Sequence, residues 1–415
     1  MKSEVFIANR KRFAAEMEDN SIAVFFSGTF IRDTNDQFFY PFSVERNFYY
    51  LTGIDRENMI LMISKINGTI IENLYIPPVD EMYERWHALF MRDHEAKERS
   101  GIQNVSYAAS FEGEFSKKLF YDVYVKTIYV FSHYAELNEN DTLSRRFAEK
   151  ARTQYPGIKI INSLDILSRL RNVKCKEEHD EIRQAIDYTD EALKHIMNVL
   201  KPGMYEYQVA SHYQHVLTLK NSRPRFRSVI AGAHNALILH YNAYNYQLKD
   251  GDLLLMDLGA YSGWYVSDIT RTYPVNGKFT PRQKELYNIV LESNELVLSE
   301  LKAGWTENQM NELFKAFIAK AFKAIKLIKD EADVAKYLYH KIGHPLGLDL
   351  HDLSIMPGKL MLENSVYTVE PGIYIAEEGL GIRIEDNVII GKSGCVNLSA
   401  GIIKKANDIE NFMNR

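Results

Sequence analysis

The chain has only two cysteines in 415 residues, Cys175 and Cys395, far apart in sequence. Neither a disulfide framework nor a paired-cysteine zinc motif can be built from them, which suits a reducing compartment, the cytoplasm. An excess of one charge is also missing: 50 Lys+Arg stand against 55 Asp+Glu, leaving −5. That argues against a nucleic-acid partner, whose footprint is a basic patch. No apolar run approaches the ~20 residues of a membrane-spanning helix. The opening MKSEVFIANRKRFAAEMEDN spreads charges where a secretory signal has an apolar stretch, so no membrane association is expected. Low-complexity segments and recognisable internal repeats are lacking too. What remains is 46% hydrophobic and 25% charged residues, the balance of a soluble globular protein. The chain is too long for one ordinary core, so two domains are expected.

Along the chain, residues 3–18 pattern as an amphipathic helix and Ser21–Phe26 as a strand. The aromatic stretch Asn47–Leu51 stops at Thr52-Gly53. Asn58–Ile66 and Thr69–Ile76 flank Asn67-Gly68, the strongest short hairpin signal. Glu84–Ser100 reads as one charged helix. Strands are expected over Val123–Phe131 and Ile158–Ile161, with a helix over 139–155 between them. Strands alternating with helices predict an α/β domain over 1–165, then a linker over 166–176 and a second domain over 177–415. In the latter, long helices are expected over Glu177–Leu200 and 205–219. Thr280-Pro281 and the Thr306/Gln309 capping box open two more, and another runs over 330–341. Residues Ser365–Ser399 are strand-rich.

The stretch DGDLLLMDLGAYSGWYVSDITRTYPV, Asp250–Val275, reads as a hairpin. Its first strand ends in Asp257, and the second carries Asp268. Folding at Ser262-Gly263 would set the two aspartates directly opposite each other, where like charges destabilise a sheet. A divalent cation between them would resolve the conflict. A slipped register, with one aspartate in solvent, is the alternative.

Three later stretches add ligand types. YHKIGHPLGLDLHD holds His340, His344 and His351 within the twelve residues 340–351. Glu370 ends an apolar run before Pro371-Gly372. In GIRIEDNVII, alternation puts Arg383 and Glu385 on one face. Each has an ordinary structural reading alone: a packed histidine, a turn cap, an edge-strand ion pair. Together they offer four carboxylates and an imidazole at strand ends in one domain. That set suits two hard-to-borderline divalent ions, with manganese or magnesium favoured by oxygen and the imidazole admitting manganese, cobalt, iron or zinc.

The order Asp257, Asp268, His344, Glu370, Glu385, with DLGAYSGWYVSDITRTYPVNGKFT, GHPLGLDLHD, TVEPGIYI and GIRIEDN around them, resembles aminopeptidase P, of the metallopeptidase family with the pita-bread fold. YPFSVERNFYYLTG resembles the aromatic segment of that family's N-terminal domain, with Asn47 where the family usually has aspartate. The resemblance implies an α/β (α+β) protein, in which a pita-bread catalytic domain built on a six-stranded pseudo-symmetric sheet follows a smaller α/β domain. It implies two divalent ions per subunit, with Mn2+ favoured. Asp257 would chelate one, Asp268 and Glu385 would bridge both, and His344 and Glu370 would complete the second. The activity implied is hydrolysis of the N-terminal Xaa-Pro bond of peptides with proline in second position. Glu370 would be the proton shuttle, and His240, His351, His340 and Arg383 would also act at the site. His240, His351, Tyr374, Arg383 and Trp86 would contact substrate, Trp86 from the N-terminal domain. A homodimer or homotetramer is implied as well. An Xaa-Pro dipeptidase (prolidase) is the nearest alternative. A metal-free pita-bread binding module, an amidinohydrolase and a two-metal phosphoesterase are more remote. The last would want basic residues near the metals, for which Arg271 and Arg383 are the candidates.

Overall fold

The computed structural model describes all residues except 34–39, 123–124, 133–140, 355–359 and 415. They form two compact units, Met1–Leu170 and Arg171–Arg415.

The first unit is built on a mixed six-stranded sheet. Strands β1 (Ser21–Phe26), β2 (Ile60–Ile66), β3 (Thr69–Ile76), β4 (Asn104–Tyr107), β5 (Thr127–Val130) and β6 (Lys159–Asn162) lie in the order β4-β3-β2-β1-β5-β6. β1 is buried along its whole length, antiparallel to β2 and parallel to β5. Its Ile22, Val24 and Phe26 share one face and pack into a core with Phe111, Phe115 and Val130. Asn67 and Gly68 join β2 to β3 with φ of 48° and 76°. A type I′ hairpin turn needs that left-handed pair, and Asn-Gly adopts it at least steric cost.

Several expectations are adjusted in this unit. The aromatic stretch is a short helix, Arg46–Thr52, and the 139–155 helix is Leu143–Gln154. Residues 123–124 and 139–140 of the expected elements lie outside the described residues. The single helix expected over 84–100 is two, Glu81–Trp86 and Asp93–Ser100. Glu95 reaches back to accept from the Arg92 amide at 2.7 Å, which starts the second helix, and a 2.8 Å Glu84–Arg92 ion pair spans the break. A helix, Leu164–Asn172, fills much of the stretch expected as a linker, with Ile166, Leu167 and Leu170 buried.

The second unit repeats one plan. Helices Lys176–Val199 and Glu206–Leu219 precede an antiparallel sheet of β7 (Val229–Gly232), β8 (Leu253–Leu258) and β11 (Ile269–Pro274), with the small hairpin β9 (Tyr261–Ser262) and β10 (Tyr265–Val266) between the last two. Helices Pro281–Glu300 and Glu307–Ala324 precede a second antiparallel sheet of β12 (Val366–Val369), β15 (Asp386–Ile390) and β16 (Cys395–Asn397), interrupted by the hairpin β13 (Gly372–Ile375) and β14 (Leu380–Arg383). The six strands expected as one sheet thus form two three-stranded sheets. They meet where the Glu385 amide donates to the Thr270 carbonyl at 3.0 Å. The second helix of each pair opens on a related turn, KPGMYE at 201–206 and KAGWTE at 302–307, with Gly203 and Gly304 at φ 91° and 87°. Repetition of structure is therefore present where the sequence shows almost none. The helix expected over 330–341 is only a 3-10 segment, Glu331–Tyr337, so His340 and His344 sit on irregular chain.

Candidate metal centre

The aspartate hairpin forms with a register two residues away from the expected one. Asp257 of β8 lies opposite Thr270 of β11, and Ser262 pairs with Tyr265 at the tip. This makes Gly263 the first residue of the two-residue turn, where its φ of 54° meets the turn's need for a positive value. Direct opposition of Asp257 and Asp268 is thereby corrected to a diagonal one. A one-residue slip would have sent one aspartate to the far face, whereas a two-residue shift preserves side-chain parity. The aspartates remain on one face, close enough for Asp257 to repel Asp268.

The other ligand candidates converge on this face from the second half of the unit. His344 Nε2 stands 3.3 Å from Asp268 Oδ2 and 3.5 Å from Glu370 Oε1. One ligand atom each from Asp268, His344 and Glu385 lie within 4.8 Å of one another. Glu370 follows the end of β12, and Glu385 sits between β14 and β15. His344 Nδ1 lies 3.1 Å from the Pro345 carbonyl. A carbonyl can only accept, so Nδ1 carries the proton and Nε2 keeps its lone pair for the centre. Asp257 Oδ2 accepts from Arg383 Nη2 at 2.6 Å, while Asp257 Oδ1 is buried without a hydrogen-bond partner among the described residues.

Electrostatics set these carboxyls apart. Burial first, then repulsion from Asp257 and Glu370, holds Asp268 well above the usual carboxylate range. Burial, followed by Asp268, Glu370 and Asp257, does the same to Glu385. Glu370 is also raised by burial, with His344 and Arg383 pulling the other way.

A cavity of about 600 Å³ contains all five ligand candidates together with His240, His340, His351 and Arg383. His240 and His351 are exposed on its wall, and the His351 ring packs edge-on against His344 at 4.2 Å. His340 is held differently. Its Nδ1 donates to the Lys341 carbonyl at 2.7 Å, so Nε2 accepts from the Tyr374 hydroxyl at 2.7 Å, whose oxygen in turn accepts from Arg383 Nη1 at 2.7 Å. Burial pushes the His340 pKa down to about 4, which keeps it neutral. Tyr374, expected to contact substrate, is fully buried and stands behind His340 and Arg383, stacked on Tyr339. Trp86 belongs to the N-terminal unit, where it is 75% exposed beside a cavity shared with Tyr83 and Phe90.

The family model for metallopeptidase family M24 matches residues 180–392, and that for the aminopeptidase P N-terminal domain matches 6–128. The chain belongs to metallopeptidase family M24. It is 32% identical to an Xaa-Pro aminopeptidase of Haemophilus influenzae, over 100% of this chain and 98% of that one. A solved structure assigned to aminopeptidase P from Bacillus anthracis shares 37% identity at a TM-score of 0.96, covering 100% and 99% of the two chains. Zinc-substituted aminopeptidase P from E. coli, in complex with product, shares 26% identity at a TM-score of 0.90 over 100% and 98%. The protein is therefore a hydrolase with the two-domain α/β architecture of these relatives.

The donor chemistry fits the divalent metal of an M24 peptidase. Three carboxyls raised first by burial and further by neighbouring carboxyls can ionise together only beside compensating positive charge, and Arg383 supplies one such charge. Divalent ions supply the rest, and four carboxylates with one imidazole are ligands for hard-to-borderline cations.

Several supporting residues escaped the sequence reading. Thr270 Oγ1 donates to Glu385 Oε2 at 2.7 Å and accepts from Arg383 Nε at 3.0 Å. Thr368 Oγ1 accepts from the His344 amide at 3.0 Å and donates to Glu370 Oε1 at 3.3 Å. Asn387 clamps the Asp268 main chain, accepting from its amide at 3.0 Å and donating to its carbonyl at 2.6 Å. For Thr270 the one available signal was its shared strand face with Asp268. Arg271, the other cation near the ligands in sequence, does not line the cavity. It is fully buried and engaged by Asp386 at 2.8 Å and by the Thr270 and Glu385 carbonyls, which removes half of the basic set that the phosphoesterase alternative needed.

Proposed function

We propose that this chain hydrolyses the N-terminal Xaa-Pro bond of peptides, with two divalent ions, Mn2+ favoured, held by Asp257, Asp268, His344, Glu370 and Glu385. The observation that carries this reading is the convergence of those five side chains, from both halves of the unit, in one cavity with Arg383. Asp268 and Glu385 would hold both ions, as the family resemblance implies; the division is consistent with a carboxylate's ability to serve two ions where an imidazole nitrogen serves one. Bound ions supply Lewis-acid polarisation and lower the pKa of water.

The rest falls to the chain's own residues. Glu370, raised above the ordinary carboxylate range by burial, accepts a proton from the attacking water and returns it to the leaving nitrogen. That nitrogen belongs to a tertiary amide without an N–H, so the site must recognise the proline ring and its carbonyl. Phe226, Leu239 and Leu350 offer apolar cavity wall to the ring. Arg383, oriented by Thr270, Tyr374 and Asp257, is the donor for the proline carbonyl. His240 and His351 reach the substrate from the wall. His340 and Tyr374 act as positioning residues, since both ring nitrogens of His340 are engaged. The unpaired thiols of Cys175 and Cys395 suit the cytoplasm, and the assembly in this reading is a homodimer or homotetramer.

Substrate length separates this reading from a dipeptidase, which must pin the proline carboxylate. Arg227 and Lys341, exposed on the cavity wall, are cations that a carboxylate can meet, so the comparison is direct. With added manganese, Xaa-Pro-Xaa is expected to be cut with a higher kcat/KM than Xaa-Pro, and Xaa-Ala-Xaa slowly. A higher kcat/KM on the dipeptide would make the protein a prolidase.

A further inference from the structure

The loop that brings His240 to the cavity wall rests on a carboxylate outside the cavity. Glu206, the first residue of helix Glu206–Leu219, is fully buried. Among the described residues no lysine or arginine pairs with it, and four donors close on it instead. Its Oε1 accepts from the Gly232 amide at 2.7 Å and from Asn235 Nδ2 at 3.0 Å. Its Oε2 accepts from the Tyr241 hydroxyl at 2.7 Å and from the Tyr246 amide at 3.0 Å. Burial, and then the bond to Glu206, pushes the Tyr241 pKa up to about 12, so that hydroxyl keeps the proton it donates.

The four donors bracket one stretch of chain. Gly232 ends β7, Asn235 lies in a 3-10 turn, Ala233–Leu237, and Tyr241 and Tyr246 follow His240. Between them Leu239, His240 and Asn242 line the cavity. The His240 ring is exposed and makes no hydrogen bond of its own among the described residues, so the course of its main chain fixes its reach. That main chain is strained. Ala233 and Tyr244 take φ of 50° and 52°, left-handed values that a residue with a Cβ holds only where its surroundings impose them. Glu206 ties both ends of the stretch, and its own amide adds a bond to the Tyr246 carbonyl at 3.1 Å. A carboxylate suits four donors, since it has two acceptor oxygens and no hydrogen of its own.

We propose that Glu206 is a positioning residue for the peptidase reaction, holding from behind the loop that sets Leu239 and His240 on the cavity wall. The inference rests on the substrate contact proposed for His240. In Glu206→Gln, whichever oxygen is replaced, the new NH2 faces an N–H from which it cannot accept, and the loop loses its tie on that side.

The test is a double-variant cycle in the full chain saturated with manganese, read as kcat/KM on an Xaa-Pro-Xaa peptide. His240→Ala and Glu206→Gln should each lower it, the second by up to ~10²-fold, the cost of a misplacement of ~1 Å. In the double variant the losses should fall well short of multiplying, because Glu206 has little left to position once the imidazole is gone. Manganese bound per chain should stay at the wild-type level, since the proposed ligands lie on other elements. Losses that multiply, or a wild-type kcat/KM in Glu206→Gln, would overturn the positioning role alone. A wild-type kcat/KM in His240→Ala would remove the substrate contact itself and the inference with it. Tyr241→Phe deletes one of the four donors and keeps the buried ring, so it carries the same cycle if Glu206→Gln does not fold. Its loss should be smaller and again fail to multiply with that of His240→Ala; multiplied losses there would overturn the role as well.

Discussion

Replacing Glu370 by glutamine is expected to lower turnover on an Xaa-Pro-Xaa peptide by about 10²-fold or more. Glutamine preserves an oxygen at the position that accepts from Thr368 Oγ1 and faces His344 Nε2, so metal affinity should weaken without being lost. What the amide cannot do is take a proton and give it back. The loss should therefore persist in kcat at saturating manganese, with a metal content near that of wild type. A wild-type kcat under those conditions would remove Glu370 from proton transfer.

Stripping the divalent ions is expected to abolish activity and to lower the Tm of the second unit together. An ion at a thousand times its Kd adds about 4 kcal/mol to native-state stability. For a unit of this size that corresponds to roughly 8–16 °C. The deficit should also depend on pH. In the metal-free protein Asp268, Glu370 and Glu385 sit above the ordinary carboxylate range, while in the unfolded chain they titrate near ~3.9 and ~4.3. The folded state then binds more protons than the unfolded one, so stability falls as pH rises from about 4 towards the raised values. The cost of chelation should therefore grow as pH rises above the ordinary carboxylate range, by scanning calorimetry across that range with and without EDTA, and manganese should remove the dependence. A loss independent of pH would mean that these carboxyls are not the source.

The contrast between what the sequence disclosed and what it withheld is physical. Much of the ligand order was legible because three of the candidates sit at strand ends beside recognisable signals: Asp257 before Gly259, Glu370 before Pro371-Gly372, Glu385 after the alternating GIRI. The exact register was not, since Ser262-Gly263 and Gly263-Trp264 are both plausible turns and a positive φ at Gly263 suits either; only the pairing of Ser262 with Tyr265 decides between them. The inference of two neighbouring aspartates survived because the error was an even number of residues. Thr270, Thr368 and Asn387 stayed hidden because each acts on a partner brought near by the fold, as Asn387 does on Asp268. The break between Trp86 and Asp93 was invisible because the intervening HALFMR holds no proline or glycine to stop a helix, and only the Glu95 back-bond to Arg92 marks the second start. The doubled helix-pair-and-sheet plan left a trace only in the turns before Glu206 and Glu307.

That doubling determines more than architecture. Asp257 and Asp268 come from the first sheet, and His344, Glu370 and Glu385 from the second half of the unit. In the proposed reading, ions held by all five would act as a removable clasp over the seam, doing for this chain what its two distant cysteines cannot, so that loss of the metal would untie the two halves from each other as well as silence the site.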